Sequence, residues 1–345
     1  MPLFFSGKAA NSCAVKRQFF QENIVSIAKE RINSHFSFSI MTVTIDSNSG
    51  FCWGVVRTVQ IAEQYLEQYD NVSVLGHIIH NPKEIERLEK KGLKTIHVKD
   101  FERIAGDAKQ SGATPRVLIR AHGEPPETYR KAFELGIELI DATCPVVTKL
   151  QERVRKFYDQ GYQIVVFGKK DHAEVIGVRG VCNDECIVVK SVEEGLGSVN
   201  VDKKTVLFSQ TTMDRPTFYA LRDALQARVK ELIVDTMQNI AVEFHAKDTI
   251  CGQVSGREDK LAAFAASQDI MLFIAGHESS NGKVLYNVAK AANPRTYFLE
   301  DVKELQDEWF EGVETVGISG ATSTPQWLME QLKKAVEERY SSVLA

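Results

Sequence analysis

The chain has 345 residues, with 43% hydrophobic and 26% charged side chains, 42 Lys and Arg against 46 Asp and Glu, and six cysteines. At roughly 100–200 residues per domain this means two or three domains. The missing basic excess argues against nucleic acid or an anionic membrane surface as partner, no apolar run approaches the roughly 20 residues of a membrane span, and six scattered cysteines fit a reducing, cytoplasmic home better than a disulfide framework.

Residues 1–40 contain Phe4, Phe5, Phe19 and Phe20 but few acidic side chains, and read as a poorly ordered N-terminal extension or a start assigned upstream of Met41. Cys13 belongs to that segment. From Met41 onward one unit recurs: a short β-branched run, a small or polar tip, then an amphipathic helix. Such alternation predicts an α/β fold of small, mostly parallel sheets with helices packed on them.

In chain order, Thr42-Val43-Thr44-Ile45 leads through Cys52 to a helix over Trp53–Gln68. Val72–Leu75 then leads through Gly76–Asn81 to a helix from Pro82, and Val117–Arg120 leads through His122 to a helix ending near Glu134. Next come Glu138–Asp141 with Cys144 before a helix opening at Pro145, Ile164–Phe167 ending at Gly168–Glu174, and Thr205–Phe208 ending at Ser209–Thr212. Last are Asp248–Cys251 before a helix, Ile270–Ile274 ending at Gly276–Asn281, and Thr315–Ile318 ending at Ser319–Pro325. The repetition predicts three α/β modules, 41–143, 144–247 and 248–330, and a tail over 331–345. A cysteine is expected to open each module at the junction into a helix.

A thiol at a helix N-terminus tends toward thiolate, the form that ligates metal. Three such thiols, one per module, suit an iron–sulfur cluster with one iron left open, and zinc with a water would accept them too. The closer pair Cys182 and Cys186 stands alone and runs into the strand-like Ile187-Val188-Val189, so it reads as structural. His80, His122 and His172 occupy comparable stations at strand tips. Glu174 is at its simplest a first-turn helix residue, and in a functional reading a proton donor. Thr211, Ser279, Ser280, Asn281 and Ser323 are plain helix caps one by one. Together with the histidines they offer a ring of neutral donors suited to phosphate oxygens. Neither GxGxxG nor GxxxxGK[ST] occurs, so a phosphorylated small metabolite is a better expectation than a nucleotide.

The segments Ser49-Gly50-Phe51-Cys52-Trp53-Gly54-Val55, Ile79-His80-Asn81, Arg120-Ala121-His122-Gly123, Asp141-Ala142-Thr143-Cys144-Pro145, Gln210-Thr211-Thr212 and Ser279-Ser280-Asn281 occur in one order. As a set, from about Thr42 to Leu332, the chain resembles the 4-hydroxy-3-methylbut-2-enyl diphosphate reductase family, the terminal enzymes of the methylerythritol phosphate route to isoprenoids. The resemblance implies three modules arranged pseudo-threefold around one 4Fe-4S cluster, with Cys52, Cys144 and Cys251 as its ligands and one open iron. It also implies diphosphate and hydroxyl contacts from His80, His122, His172, Thr211, Ser279, Ser280, Asn281 and Ser323, and Glu174 as proton donor. Electrons would come from ferredoxin or flavodoxin.

Three positions depart from the family pattern: Ala173 where Pro is usual, Arg120 where Ser is commoner, and Trp53 where a small residue is frequent. Thr322 competes with Ser323 for the last tip. Two alternatives compete with this reading, a three-cysteine Lewis-acid enzyme of the quinolinate synthase type and a nonenzymatic cluster-bearing sensor.

Overall fold

The computed structural model describes residues 41–340 apart from 237–242, together with the backbone but not the side chains of 232–236. The expected N-terminal extension and Cys13 lie outside the described residues.

Strand β1 (Thr42–Ile45) comes first in the chain. Strands β2 (Val72–Leu75), β3 (Lys94–Ile96), β4 (Arg116–Ile119) and β5 (Glu138–Asp141) form one sheet in the order β3-β2-β4-β5. Strands β6 (Gln163–Phe167), β7 (Cys186–Val189), β8 (Thr205–Ser209) and β9 (Phe244–Ala246) form a second in the order β7-β6-β8-β9. Strands β10 (Ile270–Ile274), β11 (Thr296–Leu299) and β12 (Thr315–Gly320) take β1 as partner in a third, ordered β1-β12-β10-β11. Every recorded pairing is parallel.

Parallel sheets are covered on both faces, which explains the nearly continuous apolar strands. In β10 all five residues are buried. Ile270, Leu272 and Ile274 face Leu328, Met329, Leu332 and Val336 of the helix Gln326–Tyr340, while Met271 and Phe273 face Leu261, Leu285 and Ala289 on the opposite side. The other two sheets repeat this scheme: in the second, Val166 and Phe208 face Leu150 and Val154 while Val165, Phe167 and Leu207 face Phe218 and Leu221, and in the first, Val74 and Leu118 face Ala62 and Leu88 while Val117 and Ile119 face Phe101 and Ala132.

The division of the chain differs from the sequence expectation at both ends. Strand β1 does not join the first sheet but pairs in register with β12, Thr42 opposite Thr315 and Ile45 opposite Ile318. Residues 331–340 are no tail, because they continue the helix whose Leu332 and Val336 are fully buried. The strand expected over Asp248–Cys251 lies earlier, at Phe244–Ala246. Residues 248–250 are instead held by side chains, Thr249 Oγ1 accepting from Ser209 N at 2.8 Å and Asp248 Oδ1 from Ile250 N at 3.0 Å.

With β1 in its observed place, the three sheets follow one plan. In each, one edge strand (β5, β9 or β1) is followed by a cysteine and then by a helix that packs on another sheet. The helix after Cys52 places Ala62 in the core of the first sheet, that after Cys144 places Leu150 and Val154 in the second, and the helices after Cys251 place Leu261 and Ala265 in the third. The cysteines therefore do not open modules. They stand where the chain crosses from one sheet to the next, which draws three distant residues toward one place.

Candidate active site

The tips at the carboxyl ends of the strands meet around a cavity of about 100 Å³. In open α/β sheets these ends are where ligands bind. The cavity is lined by every site residue expected from the sequence: the three cysteines, the three histidines, Glu174, Thr211, Ser279, Ser280, Asn281 and Ser323, together with Thr322.

Cys52, Cys144 and Cys251 are free, half-buried, and each is the N-cap residue of its helix. Burial pushes the Cys144 and Cys251 thiols up, while backbone N–H groups of Val146 and Val147, and of Gln253 and Val254, pull them down. Neighbouring thiols raise both further, through repulsion between sulfurs if all were ionised. That is a donor set a cation would relieve. Gly54 keeps this space open, since a Cβ there would lie 2.8 Å from Cys144 Sγ and 4.0 Å from Cys52 Sγ. The soft donors, their N–H support and the missing Cβ fit a sulfur-ligated metal centre.

The three imidazoles lie beside one another, with ring centroids 4.7 Å apart for His80 and His122 and 5.3 Å from each to His172. Burial lowers all three pKa values, His80 to about 4, His172 to about 3 and His122 well below its ordinary value. The rings are thus neutral near pH 7, each offering one donor and one acceptor nitrogen. His172 is the N-cap of the helix Ala173–Val181, its Nδ1 accepting from Glu174 N at 3.2 Å. His80 Nε2 and His122 Nδ1 are buried without a partner. Unpaired buried polar atoms are costly, so these point to a ligand or water. Their spacing could also take a cation, and two unpartnered nitrogens beside a row of hydroxyls serve phosphate oxygens equally well.

Glu174 is 1% exposed, and its carboxylate accepts from Thr211 N at 2.7 Å and Thr211 Oγ1 at 2.6 Å. Burial raises its pKa to about 7, against the lowering effect of those two hydrogen bonds. This suits a group that must hold and release a proton near neutrality.

On the opposite wall, Ser279 caps the helix Ser280–Ala292 by accepting from Gly282 N at 3.0 Å, and its Oγ lies 3.3 Å from Ser323 Oγ. Asn281 Oδ1 accepts from both Thr322 N and Thr322 Oγ1 at 2.8 Å, which leaves Asn281 Nδ2 buried and unpaired toward the cavity. The two candidates for the last tip thus have different parts, Ser323 joining the hydroxyl row and Thr322 orienting Asn281. Sequence reading also missed Arg257, which donates to Gly50 O at 2.6 Å and lies near Cys52 and Cys251. Its position depends on a contact between residues 207 apart in sequence, and nothing local announces it.

Three parallel sheets with one thiol from each crossing, set against a wall of neutral donors, define a metal-dependent α/β enzyme. The family described as LytB protein matches residues 43–337, and the chain belongs to that family. A relative from Chloroherpeton thalassium, named 4-hydroxy-3-methylbut-2-enyl diphosphate reductase, is 45% identical over 317 residues, covering 88% of this chain and 98% of its own. One of the same name from Prosthecochloris aestuarii is 41% identical over 333 residues, covering 88% and 100%. The solved structure of an (E)-4-hydroxy-3-methyl-but-2-enyl diphosphate reductase, described as the terminal enzyme of the non-mevalonate pathway, superposes with TM-score 0.62 at 34% identity, over 86% of this chain and 99% of that one. The Plasmodium falciparum reductase, 23% identical with TM-score 0.72 over 86% of this chain and 88% of its own, shares the fold. These likenesses give no support to the quinolinate synthase or sensor alternatives.

Proposed function

We propose that this chain is a 4-hydroxy-3-methylbut-2-enyl diphosphate reductase, an iron–sulfur oxidoreductase of isoprenoid biosynthesis that replaces the allylic hydroxyl of its substrate by hydrogen. Two electrons and two protons enter, water leaves, and isopentenyl and dimethylallyl diphosphate are the products. The observation that carries this reading is a single cavity with three thiols at one side, a buried acid beside them and neutral phosphate donors opposite.

Cys52, Cys144 and Cys251 would hold a 4Fe-4S cluster, which when bound supplies low-potential electrons and an open, Lewis-acidic iron. His80, His122, Ser279, Ser280, Asn281 and Ser323 bind the diphosphate through N–H and O–H donors. His172 and Thr211 fix Glu174 from its backbone and carboxylate sides. Glu174 delivers the proton that lets the hydroxyl depart as water. Because the diphosphate is remote from the reacting carbon, its binding energy orients the hydroxyl without touching the chemistry. Ferredoxin or flavodoxin serves as electron donor in the cytoplasm. Among the described residues no helix is long and apolar enough to cross a membrane.

The test is anaerobic purification with iron and sulfide counts, then assay of the diphosphate alcohol with a low-potential reductant. Equal iron and sulfide with formation of both products is the expected result. A cluster-loaded protein that forms neither product would overturn the reading.

A further inference from the structure

A second, larger cavity of about 720 Å³ opens beside the inner one and shares His80, His172 and Ser280 with it. Five cationic side chains line this cavity, and three of them come from three different sheets: Arg120 after β4, Lys169 after β6, and Lys283 in the helix that follows β10. Their charges are poorly matched. Among the described residues the Lys169 and Lys283 ammonium groups have neither an ion pair nor a hydrogen bond. Burial and the nearby Lys283 both lower the Lys169 pKa, with Glu278 opposing them.

Arg120 is held more firmly but is also short of partners. Its Nη2 is 3.4 Å from Glu124 Oε1, its Nη1 is 3.5 Å from His77 O, and its Nε is buried and unpaired. The guanidinium lies over Gly76, where a Cβ would come within 2.3 Å of Nη1, so the left-handed glycine at the end of β2 clears its seat. The other two cations of the lining have acidic neighbours there, Lys190 standing 3.5 Å from Glu194 Oε1 and Lys170 preceding Asp171 in the chain. The acidic residues of the lining are Asp171, Glu194 and Glu278, and of these Glu278 acts on Lys169 and His80. Underpaired cations facing one cavity give it a positive potential that favours an anion there.

We propose that Arg120, Lys169 and Lys283 form an outer anion-binding vestibule, one cation from each sheet, that captures the substrate's diphosphate before it passes His80 and Ser280 into the inner pocket. This rests on the diphosphate reading of the inner site and assigns a separate step, capture, to residues that the inner site does not use. Clefts lined by one sign of charge raise association rates in a salt-dependent way, and charged rim residues act mainly on that rate. The neutral inner donors then hold the diphosphate, and the vestibule sets how quickly it arrives.

The test uses the cluster-loaded enzyme with the double variant Lys169→Gln/Lys283→Gln, both positions being exposed, and with Lys109→Gln, an exposed position that lines neither cavity, as charge control. Binding of inorganic pyrophosphate is followed by calorimetry, and kcat and KM are followed at low and high salt. In the double variant pyrophosphate binding weakens and kcat/KM at low salt drops on the order of ten-fold. The loss falls on KM rather than kcat, and the salt dependence flattens, while Lys109→Gln changes neither. A double variant that keeps its pyrophosphate affinity and its steep salt dependence overturns the vestibule. Lysine-dependent pyrophosphate binding by a wild-type enzyme that does not convert the diphosphate alcohol would instead overturn the reaction and leave the vestibule standing.

Discussion

Cys52, Cys144 and Cys251 each precede a helix, whereas Cys182 closes one, the helix Ala173–Val181 that begins with His172 and Glu174. The residue type is the same and the surroundings are opposite. At the N-caps, free backbone N–H groups face the sulfur, as Val146 and Val147 do at Cys144. At the C-cap, Cys182 Sγ faces carbonyls and donates to Arg179 O at 3.3 Å and Val178 O at 3.4 Å. N–H groups stabilise a thiolate and carbonyls stabilise a thiol, so helix polarity marks the three N-cap cysteines as the proposed ligands and Cys182 as a core residue.

The sharpest way to break that distinction is Cys144→Ser. Removing one of three converging thiolates is expected to abolish stable cluster binding, read as loss of iron, sulfide and visible absorbance, with turnover lost as well. Retention of full iron content would show that the N-cap position does not define a ligand.

The two ends of the helix Ala173–Val181 provide the next comparison. Glu174→Gln keeps the hydrogen-bonding shape but removes the acid, and is expected to lower turnover about 10²-fold with iron content unchanged. Unaltered turnover would remove Glu174 from the mechanism. The same residue sets a pH limb. With its pKa raised to about 7, Glu174 is largely protonated below that value, so turnover holds there and falls as pH rises through it. In Glu174→Gln the residual activity loses this limb, and a limb that persists at the same pH belongs to another group.

Much of this was legible because local chemistry signals it. Pro82 and Pro145 mark helix starts, β-branched runs of four or five residues mark buried strands, and six motifs mark the tips. The pairing of β1 was not legible, since Thr42-Val43-Thr44-Ile45 has the same pattern in any sheet and its partner lies some 270 residues away. Nor was the convergence of Arg120, Lys169 and Lys283, whose proximity comes from three separate sheets. The short edge strands β3, β9 and β11 were missed for a related reason. With one neighbour each they carry less of the apolar run that identifies a central strand.

The smallest expected effect belongs to the C-cap end. Cys182 is fully buried in the core with Val178 and Phe208, and Cys186, on β7 opposite Ile164, packs against the same cluster. The adjoining Cys186 thiol and burial both push the Cys182 thiol up, away from the ionised form that metal requires. The turn between them passes through Asn183 and Asp184, both left-handed at φ 52° and 62°, and Arg179 Nε closes it through Asp184 Oδ1 at 2.9 Å. Residues in that region are held by their surroundings, and short Asn and Asp side chains tolerate it best. Cys182→Ser combined with Cys186→Ser should therefore leave iron and sulfide unchanged, because neither residue lines the inner cavity. A hydroxyl at 182 can donate to the same carbonyls, so the cost is packing alone, about 1 kcal/mol of unfolding free energy in a denaturant titration. Loss of iron in that double variant would mean that both ends of a helix can supply ligands, and the polarity argument would fail with it.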